Sequence, residues 1–157
     1  MILVLMGVSG SGKSTIGPRL AARLGCEFIE GDDYHPGANV AKMAAGTPLT
    51  DEDRWPWLQR LNDDLRQRRD AVLACSALKQ SYRDALLSGI ADGVLVYLEG
   101  GIELIRARLA ARKHRYMPAS LLESQFAALE PPAGAIRVDI AQPPEHCAEA
   151  ILRALGR

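Results

Sequence analysis

The stretch Gly7-Val8-Ser9-Gly10-Ser11-Gly12-Lys13-Ser14 gathers three glycines, a lysine and a terminal hydroxyl within eight residues. Glycine, four residues, then Gly-Lys-Ser is the spacing of a phosphate-binding loop. Glycine's backbone freedom lets successive N–H groups point into one concavity. A helix starting at the loop's end turns its positive terminus to the same place. In such a loop the lysine reaches the outer phosphates and the last hydroxyl holds Mg²⁺. Gly7, Ser9, Gly10, Ser11, Gly12, Lys13, Ser14 and the adjoining Thr15 are therefore expected to bind a nucleoside triphosphate, with Ser14 as a metal ligand. A chance Gly/Ser-rich turn would match the eight residues alone. The apolar run Ile2–Met6 before the loop, and the recurrence of Ile16, Leu20 and Leu24 after it, supply the strand–loop–helix context that chance does not.

Binding a triphosphate leaves open what is done with it. The chain has no Asn-Lys-x-Asp segment to read guanine and no Leu-Ser-Gly-Gly-Gln segment of a transporter ATPase. Its run Ala71-Val72-Leu73-Ala74-Cys75 is followed by Ser76, where many such proteins place a metal-supporting aspartate. Asp32 is then the candidate second carboxylate at the metal. Phosphoryl transfer asks for a phosphate cradle, cations against the developing charge, and a group that orients and deprotonates the acceptor. Lys13 and the arginines of Lys113-His114-Arg115-Tyr116-Met117-Pro118 offer the cations, and this basic, glycine-poor segment reads as a lid that excludes water. The acceptor site would lie among Asp32, His35, Arg54, Lys79 and Arg83. Asp32 can take a hydroxyl proton, and Arg54, Lys79 and Arg83 suit an anionic acceptor. Each cation has a plainer use. Arg54 can pair with Asp51 or Glu52, and Lys79 and Arg83, four residues apart, can form a solvated helix face.

The elements that must hold these groups alternate. Strands are expected near 2–6, 27–30, 71–75, 94–98 and 136–140, separated by helical periodicities, which predicts a parallel sheet covered on both faces. Gly31-Asp32-Asp33-Tyr34-His35-Pro36-Gly37 follows the second strand, at the carboxyl end where open α/β sheets bind ligands. A bend is expected at Gly17-Pro18, because proline lacks a helical donor. Residues 38–49 predict a short helix with Val40 and Met43 inward. Thr50 or Asp53 caps the next helix, Pro56 favouring Asp53 because proline fits a first turn. Trp57, Leu58, Leu61 and Leu65 share its buried face. A helix over 119–129 carries Leu122, Phe126 and Leu129 inward.

Composition narrows the class. At 157 residues the chain predicts one domain, 1–157. Lys and Arg number 19, as do Asp and Glu, so no overall field favours nucleic acid or membrane. The first apolar run stops at Gly7 without a basic segment before it, and no later run approaches a membrane span of ~20 residues. Cys26, Cys75 and Cys147 are far apart and form no Cys-x-x-Cys pair, which points to reduced thiols and a cytoplasmic protein.

Taken together, the blocks resemble the bacterial-type gluconokinases, small P-loop sugar-acid kinases related to shikimate kinase. The resemblance spans nearly the whole chain. It rests on Gly7–Ser14, Gly31-Asp32-Asp33-Tyr34-His35-Pro36, Asn39, Lys42-Met43, and Gly46-Thr47-Pro48-Leu49-Thr50-Asp51-Glu52-Asp53-Arg54. It continues through Cys75-Ser76-Ala77-Leu78-Lys79, Tyr82-Arg83-Asp84, Met117–Phe126 and Leu129-Glu130-Pro131. It implies a three-layer α/β/α fold with a five-stranded parallel sheet of order 2-3-1-4-5, an acceptor-binding insertion over about 32–60 and a small helical lid over about 112–125. It further implies ATP as phosphoryl donor with Mg²⁺, the 6-hydroxyl of D-gluconate as acceptor, and a homodimer. Asp32, His35, Asn39, Lys42, Arg54, Lys79 and Arg83 would meet the acceptor. Arg112 would lie against adenine, and Pro143 in Gln142-Pro143-Pro144 would edge the base pocket. The family's lid commonly reads Gly-His-Phe-Met-Pro, whereas this chain has His114-Arg115-Tyr116-Met117-Pro118, so either Arg115 would take the catalytic place of that histidine or His114 would shift into it. Rival readings are a kinase of another small hydroxy acid, such as shikimate, and a nucleotide-dependent switch ATPase without a small-molecule acceptor.

Overall fold

A computed structural model describes residues 1–111 and 119–157. In chain order they form β1 (Ile2–Met6), α1 (Lys13–Leu24), β2 (Glu27–Glu30), a 3₁₀ turn (Gly31–Tyr34), α2 (Gly37–Ala44), α3 (Asp51–Leu65) and β3 (Ala71–Ala74). There follow α4 (Gln80–Leu86), β4 (Gly93–Glu99), α5 (Ile102–Ala110), α6 (Ala119–Ala128), β5 (Ile136–Asp139) and α7 (Pro144–Ala154). The strands lie in the expected order β2-β3-β1-β4-β5, and every neighbouring pair is parallel.

β1 is central, with Leu3 opposite Val72 of β3 on one side and Val94 of β4 on the other. All five of its residues are buried, as a strand covered on both faces requires. The pleat sends alternate residues to opposite layers. Leu3 and Leu5 pack with Ile16 and Leu20 of α1, Ile105 of α5 and Ile151 of α7. Ile2, Val4 and Met6 pack with Trp57, Leu58 and Leu61 of α3 and Tyr82 and Leu86 of α4. The two cores clamp the sheet between two helical layers. Among the described residues no helix is long and apolar enough to cross a membrane.

α1 runs on through Pro18 to a left-handed cap at Gly25. It approaches β2 closely, because a Cβ at Gly17 would stand 2.2 Å from the Phe28 ring. Two local expectations are corrected. Val40 of α2 points outward at 51% exposure, and Asn39 is buried in its place. The inner face of α2 is polar and is satisfied by hydrogen bonds, so apolar periodicity misassigned it. α3 begins at Thr50, not Asp53. Thr50 Oγ1 accepts from Asp53 N–H while Asp53 Oδ2 accepts from Thr50 N–H. This reciprocal box satisfies backbone donors that a start at Asp53 would leave open, and it places Pro56 inside the helix.

Candidate active site

The phosphate loop bridges β1 and α1. Gly10 and Gly12 take φ of 83° and 104°, values that side-chain-bearing residues resist. A Cβ at Gly10 would also press on Ile105 and Leu109 of α5. Lys13 Nζ curls back over the loop, donating to the Gly7 carbonyl at 2.8 Å and the Val8 carbonyl at 3.0 Å. The Ser11 hydroxyl is buried in the loop and has no hydrogen-bond partner among the described residues. Ser9 is held from across the site: its N–H donates to Gln125 Oε1 of α6 at 2.7 Å, and Gln125 Nε2 donates to its Oγ at 3.0 Å.

Ser14 Oγ donates to Glu30 Oε2 at 2.5 Å. Sequence reading assigned the metal-side carboxylate to Asp32 and passed over Glu30, although Glu30 closes β2 at the sheet's carboxyl edge. That placement was the available signal. Asp32 stands in the 3₁₀ turn with a largely exposed carboxylate, 3.7 Å from His35 Nε2. The turn itself is rigidly seated. Trp57 Nε1 donates to the Gly31 carbonyl at 2.8 Å, and a Cβ at Gly31 would meet the Ala74 carbonyl at 2.4 Å. Cys75 is buried just past the end of β3, against the Gly31 turn. Burial pushes its thiol up to about 12, and the charges of Asp32, Lys13 and Glu30 all reach it.

His35 stacks on Trp57 with ring centroids 4.0 Å apart. Asn39 Nδ2 bonds His35 Nδ1 at 3.1 Å and the Asp53 carbonyl at 2.8 Å. An amide nitrogen is only a donor, so Nδ1 accepts and Nε2, on the Asp32 side, carries the proton. Burial lowers the His35 pKa, against the pull of Asp32, so the ring is neutral at pH 7.

A polar cavity of about 370 Å³ lies beyond this group, with Asp51, Glu52, Arg54, Lys79, Tyr82 and Ser124 among its walls. Tyr82 organises it. The Arg54 guanidinium and Lys79 ammonium lie 5.1 and 5.6 Å from its ring centre, within cation–π range. Its hydroxyl donates to Asp51 Oδ1 at 2.5 Å, and Lys79 Nζ reaches the same oxygen at 3.3 Å. The Tyr82 bond and then the Lys79 bond hold the Asp51 carboxyl below the usual carboxylate range. Arg54 also donates to the Leu49 carbonyl at 2.5 Å. Neither plain use of these cations is what the structure holds: Arg54 bonds the Leu49 and Thr50 carbonyls rather than Asp51 or Glu52, and Lys79 stands just before α4, paired with Asp51, while Arg83 is buried.

Two expected acceptor residues are committed elsewhere. Lys42 Nζ pairs with Asp53 Oδ2 at 2.7 Å, and this bond, with the Thr50 cap, holds Asp53 down at about 2. Arg83 is 3% exposed. Its Nη1 donates to the Ala77 and Leu78 carbonyls at 2.7 and 3.1 Å, and its Nη2 to the Glu130 carbonyl at 2.9 Å. Arg83 therefore fastens the loop that presents Lys79 and does not line the cavity. The same loop meets the phosphate cradle through Gly7 N–H, 3.3 Å from the Ser76 carbonyl, and Ala77 takes a positive φ of 46° within it. Arg112 and Arg115 lie outside the described residues.

Gly10, Ser11, Gly12 and Thr15 of the phosphate loop line a second cavity of about 360 Å³ with Arg108, Ala111, Ile140, Gln142, Pro144 and Cys147. Arg108 Nη2 caps the Ile140 carbonyl. Pro143 adjoins this cavity as the residue that caps α7. The phosphate cradle thus lines a largely apolar recess, and the cation-bearing cavity reaches it through α6, where Ser124 lines that cavity beside the Gln125 that holds Ser9.

A family model described as an AAA domain matches residues 2–132. The chain is 45% identical over 161 residues to the thermosensitive gluconokinase of Escherichia coli, covering 95% of this chain and 86% of the relative. The chain belongs to the gluconokinase family. A probable gluconokinase of Mus musculus is 47% identical over 153 residues, covering 84% of this chain and 83% of its own. The crystal structure of a gluconokinase from Sinorhizobium meliloti superposes with a TM-score of 0.92 at 45% identity, over 99% of this chain and 91% of that one. The fold is accordingly that of a P-loop kinase.

Proposed function

We propose that the protein transfers the γ-phosphoryl group of ATP to the 6-hydroxyl of D-gluconate. The observation that carries this reading is a phosphate cradle that lines one recess itself and is joined through α6 to a cation-bearing cavity walled by Arg54 and Lys79. The similarity to gluconokinases supports the choice of acceptor. Adenine would occupy the recess beside Arg108 and Pro144, with Arg112 and Pro143 at its edge. The acceptor carboxylate would meet Arg54 and Lys79, displacing the Asp51 contact, while the buried His35 and Asn39 would serve the acceptor by holding the turn that carries Asp32. Asp32 is the exposed carboxylate next to the cradle and would orient and deprotonate the reacting hydroxyl. Lys13, released from the Gly7 and Val8 carbonyls, would follow the charge onto the outer phosphates, and Arg115 would close over them.

Magnesium fits the oxygen donors present, since it is usually held by one or two carboxylates together with phosphates. Ser14 would hold it, with Glu30 and Asp32 on its protein side. When bound, it would supply positive charge against the charge developing on the transferred phosphoryl group. The remaining assignments follow the same reading: one kinase unit over 1–157, an acceptor insertion at about 32–60, a lid at about 112–125, a homodimer and a cytoplasmic location. Three free thiols support the last of these.

ADP release measured with and without D-gluconate tests the proposal. Strong stimulation by gluconate is expected. Equal rates would leave a nucleotide switch, and stimulation by shikimate or another sugar acid alone would move the acceptor.

A further inference from the structure

Gln125 has no assigned part in the chemistry, yet it makes a two-bond clasp on the third residue of the phosphate loop. Its oxygen accepts from Ser9 N–H and its nitrogen donates to Ser9 Oγ. A carboxamide offers an acceptor and a donor side by side from one planar group without charge. Its neighbour in α6, Ser124, lines the acceptor cavity, as does Ala128 one turn on. The end of the helix is pinned to the loop that carries Lys79: Glu130 N–H donates to the Leu78 carbonyl, and Glu130 Oε1 accepts from Gln80 N–H, each at 2.8 Å. One short helix therefore touches the donor cradle, the acceptor wall and the acceptor loop.

We propose that Gln125 is a positioning residue that sets the cradle through Ser9 and aligns it with the acceptor cavity through α6. A phosphate loop stabilises developing charge only if its donors are placed beforehand. The Ser9–Gln125 clasp supplies that placement at the loop's third residue, using an uncharged partner that does not repel the incoming phosphate. Alignment is where the energetic leverage lies, because a small misplacement of reacting groups costs far more rate than affinity. The acceptor part of this inference rests on the kinase reading above; the nucleotide part does not.

The test combines Gln125→Ala, Gln125→Glu, Ser9→Ala and the Ser9→Ala/Gln125→Ala double variant. ATP and ADP binding is measured by calorimetry without acceptor, and steady-state kinetics are measured with gluconate. For Gln125→Ala, kcat should fall about 10- to 100-fold, with both KM values within roughly threefold of the parent. The fraction of ADP released without gluconate should rise. Gln125→Glu keeps an acceptor for Ser9 N–H but adds a negative charge at the phosphate end, so ATP affinity should fall about tenfold more than ADP affinity. The kcat losses of Ser9→Ala and Gln125→Ala should not multiply in the double variant, because the two groups are in contact. The proposal is overturned if Gln125→Ala keeps kcat within about twofold once folded protein is counted, or if Gln125→Glu weakens ATP and ADP alike. Should Gln125→Ala not fold, Gln125→Glu and Ser9→Ala decide by the same readouts. Since the ATP–ADP comparison needs no acceptor, it stands apart from the identity of the sugar acid.

Discussion

The two regions proposed to hold the donor and the acceptor are built on opposite plans. The phosphate cradle is one contiguous stretch, Gly7–Thr15, and its working surface is mostly backbone. The acceptor cavity takes Asp51 and Arg54 from α3, Lys79 and Tyr82 from in front of and within α4, and Ser124 from α6. Its charged and polar groups are side chains drawn from three separate segments. Backbone donors placed by local glycine geometry serve any triphosphate. Specificity for the acceptor depends instead on tertiary packing that brings distant segments together, and Arg83 and Trp57 are the fasteners of that packing.

The contrast is sharpest at Lys13. Lys13→Ala should lower kcat by about 100- to 1,000-fold, with the gluconate KM nearly unchanged; steady-state kinetics with each substrate varied would show it. A comparable rise in the gluconate KM would mean that the two halves are not separable. Arg83→Ala should act on the fold, costing about 3 kcal/mol in urea denaturation because buried carbonyls lose a charged donor. If stability held while the gluconate KM rose, Arg83 would belong in the cavity after all. Arg54→Ala should raise the gluconate KM about 10- to 100-fold, the worth of a charge-assisted contact, and leave the ATP KM alone. The reverse pattern would move Arg54 to the donor half.

The smallest effect concerns His35. Its folded-state pKa is lowered, so below the ordinary value of about 6.5 the unfolded chain takes up a proton that the fold refuses. The His35 contribution is complete above that pH and declines as pH falls from there toward the lowered folded value. Urea midpoints of the parent and of His35→Gln across pH 5–8 should show this slope in the parent only. An identical slope in both would assign the pH dependence to other groups.

The same contrast explains what could be read from the sequence. The phosphate loop, the five strands and the buried face Trp57, Leu58, Leu61 and Leu65 were legible because each is a local pattern in spacing or apolar period. Strand order followed from family resemblance. Val40 was misread because its helix hides an amide, Asn39, whose partners His35 and Asp53 no period announces. Arg83 looked like an acceptor cation because sequence shows its charge but not the three carbonyls around it. Glu30 was missed because its importance lies in proximity to Ser14, sixteen residues away in the chain and adjacent only after β2 docks on α1.

That docking depends on an atom the chain lacks. Gly17 lies one helical turn beyond Ser14, and Phe28 lies two residues before Glu30 on the same side of β2, so the two pairs form parallel rungs between helix and strand. A methyl at position 17 would collide with the Phe28 ring and lever the helix outward. The opposite rung would open with it, and a hydroxyl and a carboxylate now in hydrogen-bond contact would part. Here the reach of a charged group is governed by a vacancy one turn further along the helix.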